Sequence, residues 1–128
     1  MSFSPHGAVA SADFSTDGKE VVSGGTDNRA IIWDMETGEV QWKLTRHTAS
    51  VTSVAFSPDD LRVLTGSEDF TAKLWDANQG TELLTLNGHQ EAVTSVAFSD
   101  DNLFVLTASF DGTAIIWMAQ PWNSTGGG

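Results

Sequence analysis

Residues 47–76 read HTASVTSVAFSPDDLRVLTGSEDFTAKLWD, and the pattern of this stretch recurs in register on both sides of it. Trp75 has counterparts 42 residues away in each direction, at Trp33 and Trp117. A tandem period of about 40 residues is typical of repeat proteins in which each repeat forms one supersecondary unit. The sequence therefore predicts three consecutive units of the same structure.

Each unit reads as short strands rich in β-branched, aromatic and aliphatic residues, separated by turn residues. The turn between the first two strands ends on Gly18, Asp60 or Asn102, residue types that best tolerate a positive φ. No segment has a helical period long enough to compete, so an all-β fold is expected. The predicted strands are Val9–Phe14, Glu20–Gly24, Ala30–Trp33, Val40–Leu44, Ser50–Phe56, Leu61–Thr65, Ala72–Trp75, Glu82–Leu86, Ala92–Phe98, Leu103–Thr107 and Ala114–Trp117.

The composition excludes several classes of function. Six basic residues against 17 acidic ones give a net charge of -11, which disfavours binding to nucleic acid or to anionic membranes. The chain has no cysteine and no apolar run near the length of a membrane span. The first residues also lack the basic and apolar segments of a secretory signal, so a cytoplasmic location is predicted.

The repeated motifs resemble those of the WD40-repeat family over nearly the whole chain. They are Trp33-Asp34, Trp75-Asp76, Gly88-His89 and the segment VTSVAFS at 51–57 and 93–99. The resemblance implies a β-propeller built from four-stranded antiparallel blades around a central axis. Two departures are Trp117-Met118 in place of Trp-Asp and Pro5-His6 in place of Gly-His. The predicted division is a first blade at 1–46, a second at 47–88, a third at 89–122 and a flexible tail at 123–128.

A histidine, a hydroxyl, a carboxylate and a tryptophan recur in every unit. Three of these types could form a hydrolytic triad. The resemblance implies instead a buried hydrogen-bond relay, in which Asp accepts from His, His reaches Ser or Thr, and Ser or Thr accepts from Trp. Three copies argue against catalysis, and the relay uses every histidine of a chain without cysteine, so no catalytic residue, cofactor or metal site is predicted. The relay residues are His6, Ser23, Asp27 and Trp33; His47, Thr65, Asp69 and Trp75; and His89, Thr107, Asp111 and Trp117.

The family's contact positions map onto the loop face of the predicted blades. This candidate partner face would bind a protein or peptide, and Phe110 is either its aromatic anchor or part of ordinary loop packing. Trp42 has two readings, packing between blades or an exposed aromatic for binding. The candidate partner face comprises Thr26, Ser50, Thr52, Glu68, Thr94 and Phe110.

Three blades do not close a propeller, and they leave two apolar faces uncovered. The third unit has no clear fourth strand after Met118. At the other end of the chain, Phe3 aligns close to the last apolar residue of a fourth strand. The chain could be a fragment, an open oligomer or a head-to-tail ring, either a homotrimer of nine blades or a homodimer of six. The start at Met1 and the clean phasing favour a self-assembling unit, and the rotation per blade favours the trimer.

Three functional hypotheses follow. The first is a non-enzymatic scaffold for protein interactions that also assembles with itself. The second is a structural or engineered self-assembly unit, or a propeller fragment, with no dedicated ligand. The third is a binder of small ligands or carbohydrates, supported only by Trp42 and Trp122.

Overall fold

A computed structural model describes residues 7–119, and in this part of the chain all regular structure is β. Each strand lies within two residues of its predicted limits, which confirms the period-based assignment. The strands are β1 Val9–Phe14, β2 Glu20–Gly25, β3 Ala30–Asp34, β4 Val40–Leu44, β5 Val51–Phe56, β6 Arg62–Ser67, β7 Thr71–Asp76, β8 Glu82–Asn87, β9 Val93–Phe98, β10 Phe104–Ser109 and β11 Ala114–Met118.

The strands form three separate antiparallel sheets, one for each sequence unit. The first has the order β1-β2-β3-β4 and the second β5-β6-β7-β8. The third has three strands within residues 7–119, in the order β9-β10-β11. Two sheets therefore match the predicted four-stranded blade, and in the third no strand within residues 7–119 pairs with the outer edge of β11. Phe3 and the predicted strand at the start of the chain, like His6, Trp122 and the tail at 123–128, lie outside the described residues.

A β-bulge lies near the start of the first strand of every sheet. The pairing of β1 with β2 shifts between Val9 and Ser11, and that of β5 with β6 shifts between Val51 and Ser53. The pairing of β9 with β10 has the same irregularity. An extra residue changes the side of the sheet to which the next side chain points. The bulge therefore places Val51, Val54 and Phe56 together, in contact with the preceding sheet.

The turns follow the predicted chemistry, with one exception. Gly18, Asp60 and Asn102 have φ values of 74°, 62° and 65°, as their residue types predicted. Phe70 also has a positive φ, 80°, in the turn between β6 and β7. A bulky side chain rarely adopts this conformation, so Phe70 marks a strained point beside Asp69.

The core lies between consecutive sheets and is built twice from corresponding positions. Between the first two sheets, Val22, Ile32 and Leu44 pack against the first strand of the second sheet, chiefly Val51 and Val54. Between the second and third sheets, the residues 42 positions later repeat the arrangement. That second cluster consists of Leu64, Ala72, Leu74, Leu86, Val93, Val96, Val105 and Ala119.

Two sheet faces have no covering sheet within residues 7–119. We call the outer side of the first sheet, with Val9, Ala12 and Phe14, the leading face. We call the outer side of the third sheet, with Leu106, Ala108 and Ile116, the trailing face. Val9 is 49% exposed and Phe14 63%, whereas their equivalents in β5, Val51 and Phe56, are 0% and 6% exposed. The equivalents of Leu106 and Ile116 in the second sheet are fully buried (Leu64 and Leu74).

Candidate functional site

The predicted relay residues of the middle unit form one continuous hydrogen-bonded chain. Asp69 lies in the turn after β6, and its carboxylate is 2.8 Å from His47 Nδ1. His47 Nε2 lies 2.6 Å from the Thr65 hydroxyl on β6. The indole N–H of Trp75 on β7 donates to that same hydroxyl over 2.9 Å. The chain thus links a loop, a turn and two strands through buried polar groups.

The hydrogen-bond partners assign the tautomer of His47. Asp69 only accepts, so His47 Nδ1 carries the proton and donates to it. Thr65 accepts from Trp75 and donates its single proton to His47 Nε2. Burial lowers the pKa of His47 below its ordinary value, against the opposing effect of Asp69. The imidazole is therefore neutral, which is the only form in which every member of the chain has a partner.

Threonine hydroxyl groups that were not among the predicted site residues hold the aspartates of the second and third units in place. Thr71 donates its hydroxyl to Asp69 over 2.6 Å, and its backbone N–H donates to the same carboxylate. Burial opposes ionisation of Asp69, but the bonds from Thr71 and His47 prevail and lower its pKa. The detectable signal was a threonine two residues after the aspartate, which recurs at Thr113.

The third unit repeats the arrangement with the same geometry. His89 Nδ1 lies 3.0 Å from Asp111, and His89 Nε2 lies 2.7 Å from the Thr107 hydroxyl. Trp117 donates to Thr107 over 2.9 Å. The hydrogen bond from the Thr113 hydroxyl is the main cause that lowers the pKa of Asp111.

In the first unit, the described residues show part of the relay. Trp33 donates its indole N–H to Ser23 over 3.0 Å. Asp27 accepts a hydrogen bond from the Arg29 guanidinium over 2.8 Å. Arg29 stands at the position of Thr71 and Thr113 in the other two units. The predicted fourth member, His6, lies outside the described residues.

The relay is placed for structure and not for reaction with a substrate. Thr65 and Thr107 are fully buried, and each hydroxyl is already hydrogen-bonded to a tryptophan and a histidine. A nucleophilic hydroxyl would need access to substrate and a free lone pair. Among residues 7–119, no buried side-chain nitrogen or oxygen lacks a hydrogen-bond partner. The arrangement thus satisfies polar groups inside the sheets, the condition for burying them at little cost.

Most residues of the candidate partner face already have structural partners. The Thr52 hydroxyl donates toward the backbone carbonyls of Gly66 and of Val93 in the next sheet. Thr94 donates to the carbonyl of Ala108, and Thr26 accepts from the backbone N–H of Ala8.

The other three members of the candidate partner face lie in loops. The backbones of Ser50 and Glu68 are joined by a hydrogen bond between their loops. Phe110 lies in the turn after β10, where its side chain is 74% exposed, the largest value among the exposed large hydrophobic residues described. Phe110 is therefore the member of this face with apolar surface left for a partner.

Trp42 on β4 packs on the neighbouring unit. A Cβ built on Gly80 would lie 2.7 Å from the Trp42 ring, so the ring lies directly on the Gly80 backbone. This contact supports the packing reading of Trp42 over the binding reading, although 37% of the residue stays exposed. Beside this contact is a polar groove of about 430 Å³, bordered by Lys43, Arg46 and Glu82.

Residues 7–119 contain no cluster of three or more histidine, aspartate or glutamate side chains placed to hold a metal ion. Over the same range, no helix reaches the length and apolar character that crossing a membrane would require.

The fold and the relay define a class: a β-repeat protein of blade-like sheets, in which tryptophan binds a serine or threonine hydroxyl in all three units and histidine binds the threonine in the second and third. The chain belongs to the WD40-repeat family. The family profile described as WD domain, G-beta repeat, matches it three times, over residues 1–34, 38–76 and 80–118. Comparison with curated proteins gives no significant match. WD40 repeats indicate a propeller scaffold or interaction module, and proteins of this family are generally non-enzymatic.

Proposed function

We propose that this chain is a non-enzymatic interaction scaffold that assembles with itself, head to tail, into a closed ring of blades. A homotrimer with nine blades is our preferred ring, with the six-bladed homodimer as the alternative. The observation that carries the proposal is the pair of open faces. Positions that are buried between consecutive sheets are exposed on the leading and trailing faces, including Phe14 and Ile116, which are 63% and 70% exposed.

Burial of the apolar surface on these two faces would supply most of the free energy of assembly. Burial of apolar surface contributes about 25 cal/mol per Å², so faces of the size of a sheet provide a substantial driving force. The relay histidines and aspartates are already used inside the sheets, which supports a role in binding and not in catalysis. A cytoplasmic location, inferred from the sequence, goes with this proposal.

The oligomeric mass tests the proposal directly. Size-exclusion chromatography with light scattering should give three times the chain mass of 13.7 kDa, and electron micrographs should show closed rings. A mass of two chains with a closed ring would support the six-bladed form. A single-chain mass at every concentration tested would overturn the proposal of self-assembly.

We further propose that a protein or peptide binds the loop face of the ring, with Phe110 as its aromatic contact. The exposure of Phe110 supports this role, since large exposed aromatics are enriched among residues that dominate binding. Phe110→Ala should abolish binding of a partner selected from a peptide library and leave the oligomeric mass unchanged. Leu61→Ala, which truncates an exposed apolar side chain in the turn between β5 and β6, is the matched control. Binding retained in Phe110→Ala would remove Phe110 from the proposal.

A further inference from the structure

Each of the two interfaces between consecutive sheets of the chain depends on a glycine. Gly24 on β2 lies so close to the next sheet that a Cβ there would be 2.5 Å from Val51 Cγ1 and 2.9 Å from Val54 Cγ1. Gly66 on β6 repeats the contact, with a Cβ 2.7 Å from Val93 Cγ1 and 2.8 Å from Val96 Cγ1. Real Cβ atoms do not approach other carbons this closely. Each interface therefore pairs a residue without a side chain with two valines.

The open faces differ from this pattern at both of the corresponding positions. On the trailing face the glycine position is Ala108, and on the leading face the second valine position is Ala12. An alanine at 108 would collide with the γ-carbons of a valine, as the distances at Gly24 and Gly66 show. Ala12 has no γ-carbons. Compared with the internal interfaces, the trailing face has one additional methyl group, at Ala108, and the leading face has two fewer, at Ala12.

The remaining valine on the leading face can accommodate Ala108. Val9 is 49% exposed, whereas its counterparts Val51 and Val93 are fully buried. Packing against Ala108 requires Val9 to take another χ1 rotamer, a change that is restricted in a β-branched residue, and the loss of the γ-carbons at Ala12 means that only this one valine has to adjust.

A second pair of positions changes in the same coordinated way. Inside the chain, Arg62 on β6 donates to the carbonyl of Ala119 over 2.6 Å and to that of Asn102 over 3.1 Å. Its guanidinium also lies 5.5 Å from the centroid of the Phe98 ring. Arg62 thus joins the second sheet to the third through polar and cation–π contacts.

On the open faces the corresponding residues are apolar. The trailing face has Phe104 in place of Arg62, and Phe104 is 39% exposed. The leading side of the first sheet offers Phe14, Gly18 and Met35 at the positions of Phe98, Asn102 and Ala119. A Cβ on Gly18 would meet nothing within 4 Å, and a cavity of about 420 Å³ opens beside Gly18 and Met35. Lys19, Asp34 and Glu36 also border this cavity, so the apolar contact available to Phe104 comes from Phe14 and Met35.

We propose that the trailing face of one chain packs specifically on the leading face of a second copy. Ala108 of one copy contacts Ala12 of the other, and Phe104 contacts Phe14 and Met35. A second copy of this chain is the partner we propose for the trailing face, because its leading face has both Ala12 opposite Ala108 and an apolar surface opposite Phe104. A sheet with valine at the position of Ala12 would collide with Ala108. This pairing rests on the self-assembly proposed above and names the residues that give it specificity.

A double-mutant cycle tests the pairing. Ala12→Val restores the valine that collides with Ala108, and it should weaken association roughly tenfold or more. Adding Ala108→Gly recreates the Gly–Val pattern of the internal interfaces, and it should bring association back to within about threefold of the wild type. The readout is sedimentation velocity over a range of protein concentrations. Ala49→Val, in the loop before β5, is the matched control and should leave association unchanged.

Phe104→Ala provides a second test, because it removes the apolar contact without adding bulk. Association should weaken, whereas Phe110→Ala, an equal truncation on the loop face, should not change it. Circular dichroism of each variant separates loss of assembly from loss of folding.

Two failures can be told apart. If the wild type assembles but neither Ala12→Val nor Phe104→Ala weakens association, this pairing is wrong and self-assembly stands. Failure of Ala108→Gly to rescue Ala12→Val would likewise overturn the size match. If the wild type stays a single chain, self-assembly itself fails.

Discussion

The Thr65 hydroxyl accepts the indole N–H of Trp75 over 2.9 Å and lies 2.6 Å from His47 Nε2, so one buried oxygen joins two aromatic side chains. The rings of His47 and Trp75 also meet edge to face, with centroids 6.4 Å apart. Because this oxygen is completely buried, each of its neighbours depends on the others for a partner. The stability of the middle sheet should therefore respond to any break in the relay.

Asp69→Ala should lower the free energy of unfolding by roughly 1–3 kcal/mol, because His47 would lose the acceptor for its Nδ1 proton inside the protein. Chemical denaturation followed by tryptophan fluorescence measures the change. Glu68→Ala, which removes the neighbouring exposed carboxylate, is the control and should change stability by less than about 0.5 kcal/mol. Equal effects of the two substitutions would remove the relay from the account of stability.

Acidification should destabilise the fold from about neutral pH downward. The pKa of His47 is lowered from 6.5, so the unfolded chain binds a proton there more readily than the folded chain does. The free energy of unfolding should therefore be fully retained above pH 6.5 and fall as the pH drops below it. Asp69 adds a further loss at lower pH, since its folded pKa lies below 3.8.

Thermal melts at several pH values check this dependence. His47→Gln has no imidazole to titrate, so its melting temperature should depend less steeply on pH just below 6.5. Parallel curves for the wild type and His47→Gln would contradict the assignment of this dependence to His47.

Phe70→Asn should stabilise the chain. Phe70 has a φ of 80°, and Asn28 takes up the same conformation in the first unit at 70°. Because asparagine tolerates the left-handed region, the substitution should raise the free energy of unfolding by up to about 1 kcal/mol. Phe70→Leu keeps the unfavourable conformation and is the control. A loss of stability in Phe70→Asn would show that the exposed ring contributes more than the backbone strain costs.

The size match proposed for the open faces has a counterpart that can be tested inside one chain. Gly66→Ala should destabilise the fold by about 1–3 kcal/mol, because its Cβ would collide with Val93 and Val96. Adding Val96→Ala reproduces the Ala108–Ala12 pair, and it should recover part of the loss. The comparison is with Val96→Ala alone, which leaves a cavity. Compensation means that the double variant loses less free energy of unfolding than the two single variants lose together. A loss equal to or greater than that sum would show that the methyl groups do not compensate at this position.

The sequence predicted the local structure of this protein well, because repetition tests each assignment three times. The positive φ of Asp60 and Asn102 followed from their alignment with Gly18. Phe70 was missed, since a bulky residue gives no local sign of a left-handed conformation. The relay partners were predicted by resemblance, but the supporting hydroxyl of Thr71 was not, because its bonds to Asp69 are side-chain contacts within a turn.

Contacts between sheets were harder to predict than contacts within them. Thr52 was placed on the partner face, yet its hydroxyl donates toward the Val93 carbonyl of the next sheet. Arg62 gave no signal, because its equivalents in the other units are Glu20 and Phe104. A repeat pattern identifies which positions correspond, but the identity of an atom's partner depends on the bulge and twist of each strand.

The contact of Gly66 with Val93 and Val96 also bears on how such a chain could change its length. A gene duplication that inserted a second copy of residues 47–88 would join its new unit to its neighbours through the same Gly–Val contact on both sides. Ala12 and Ala108 would keep their places at the outer ends. The number of blades in a chain could therefore grow in evolution without altering the two surfaces that we propose join separate chains.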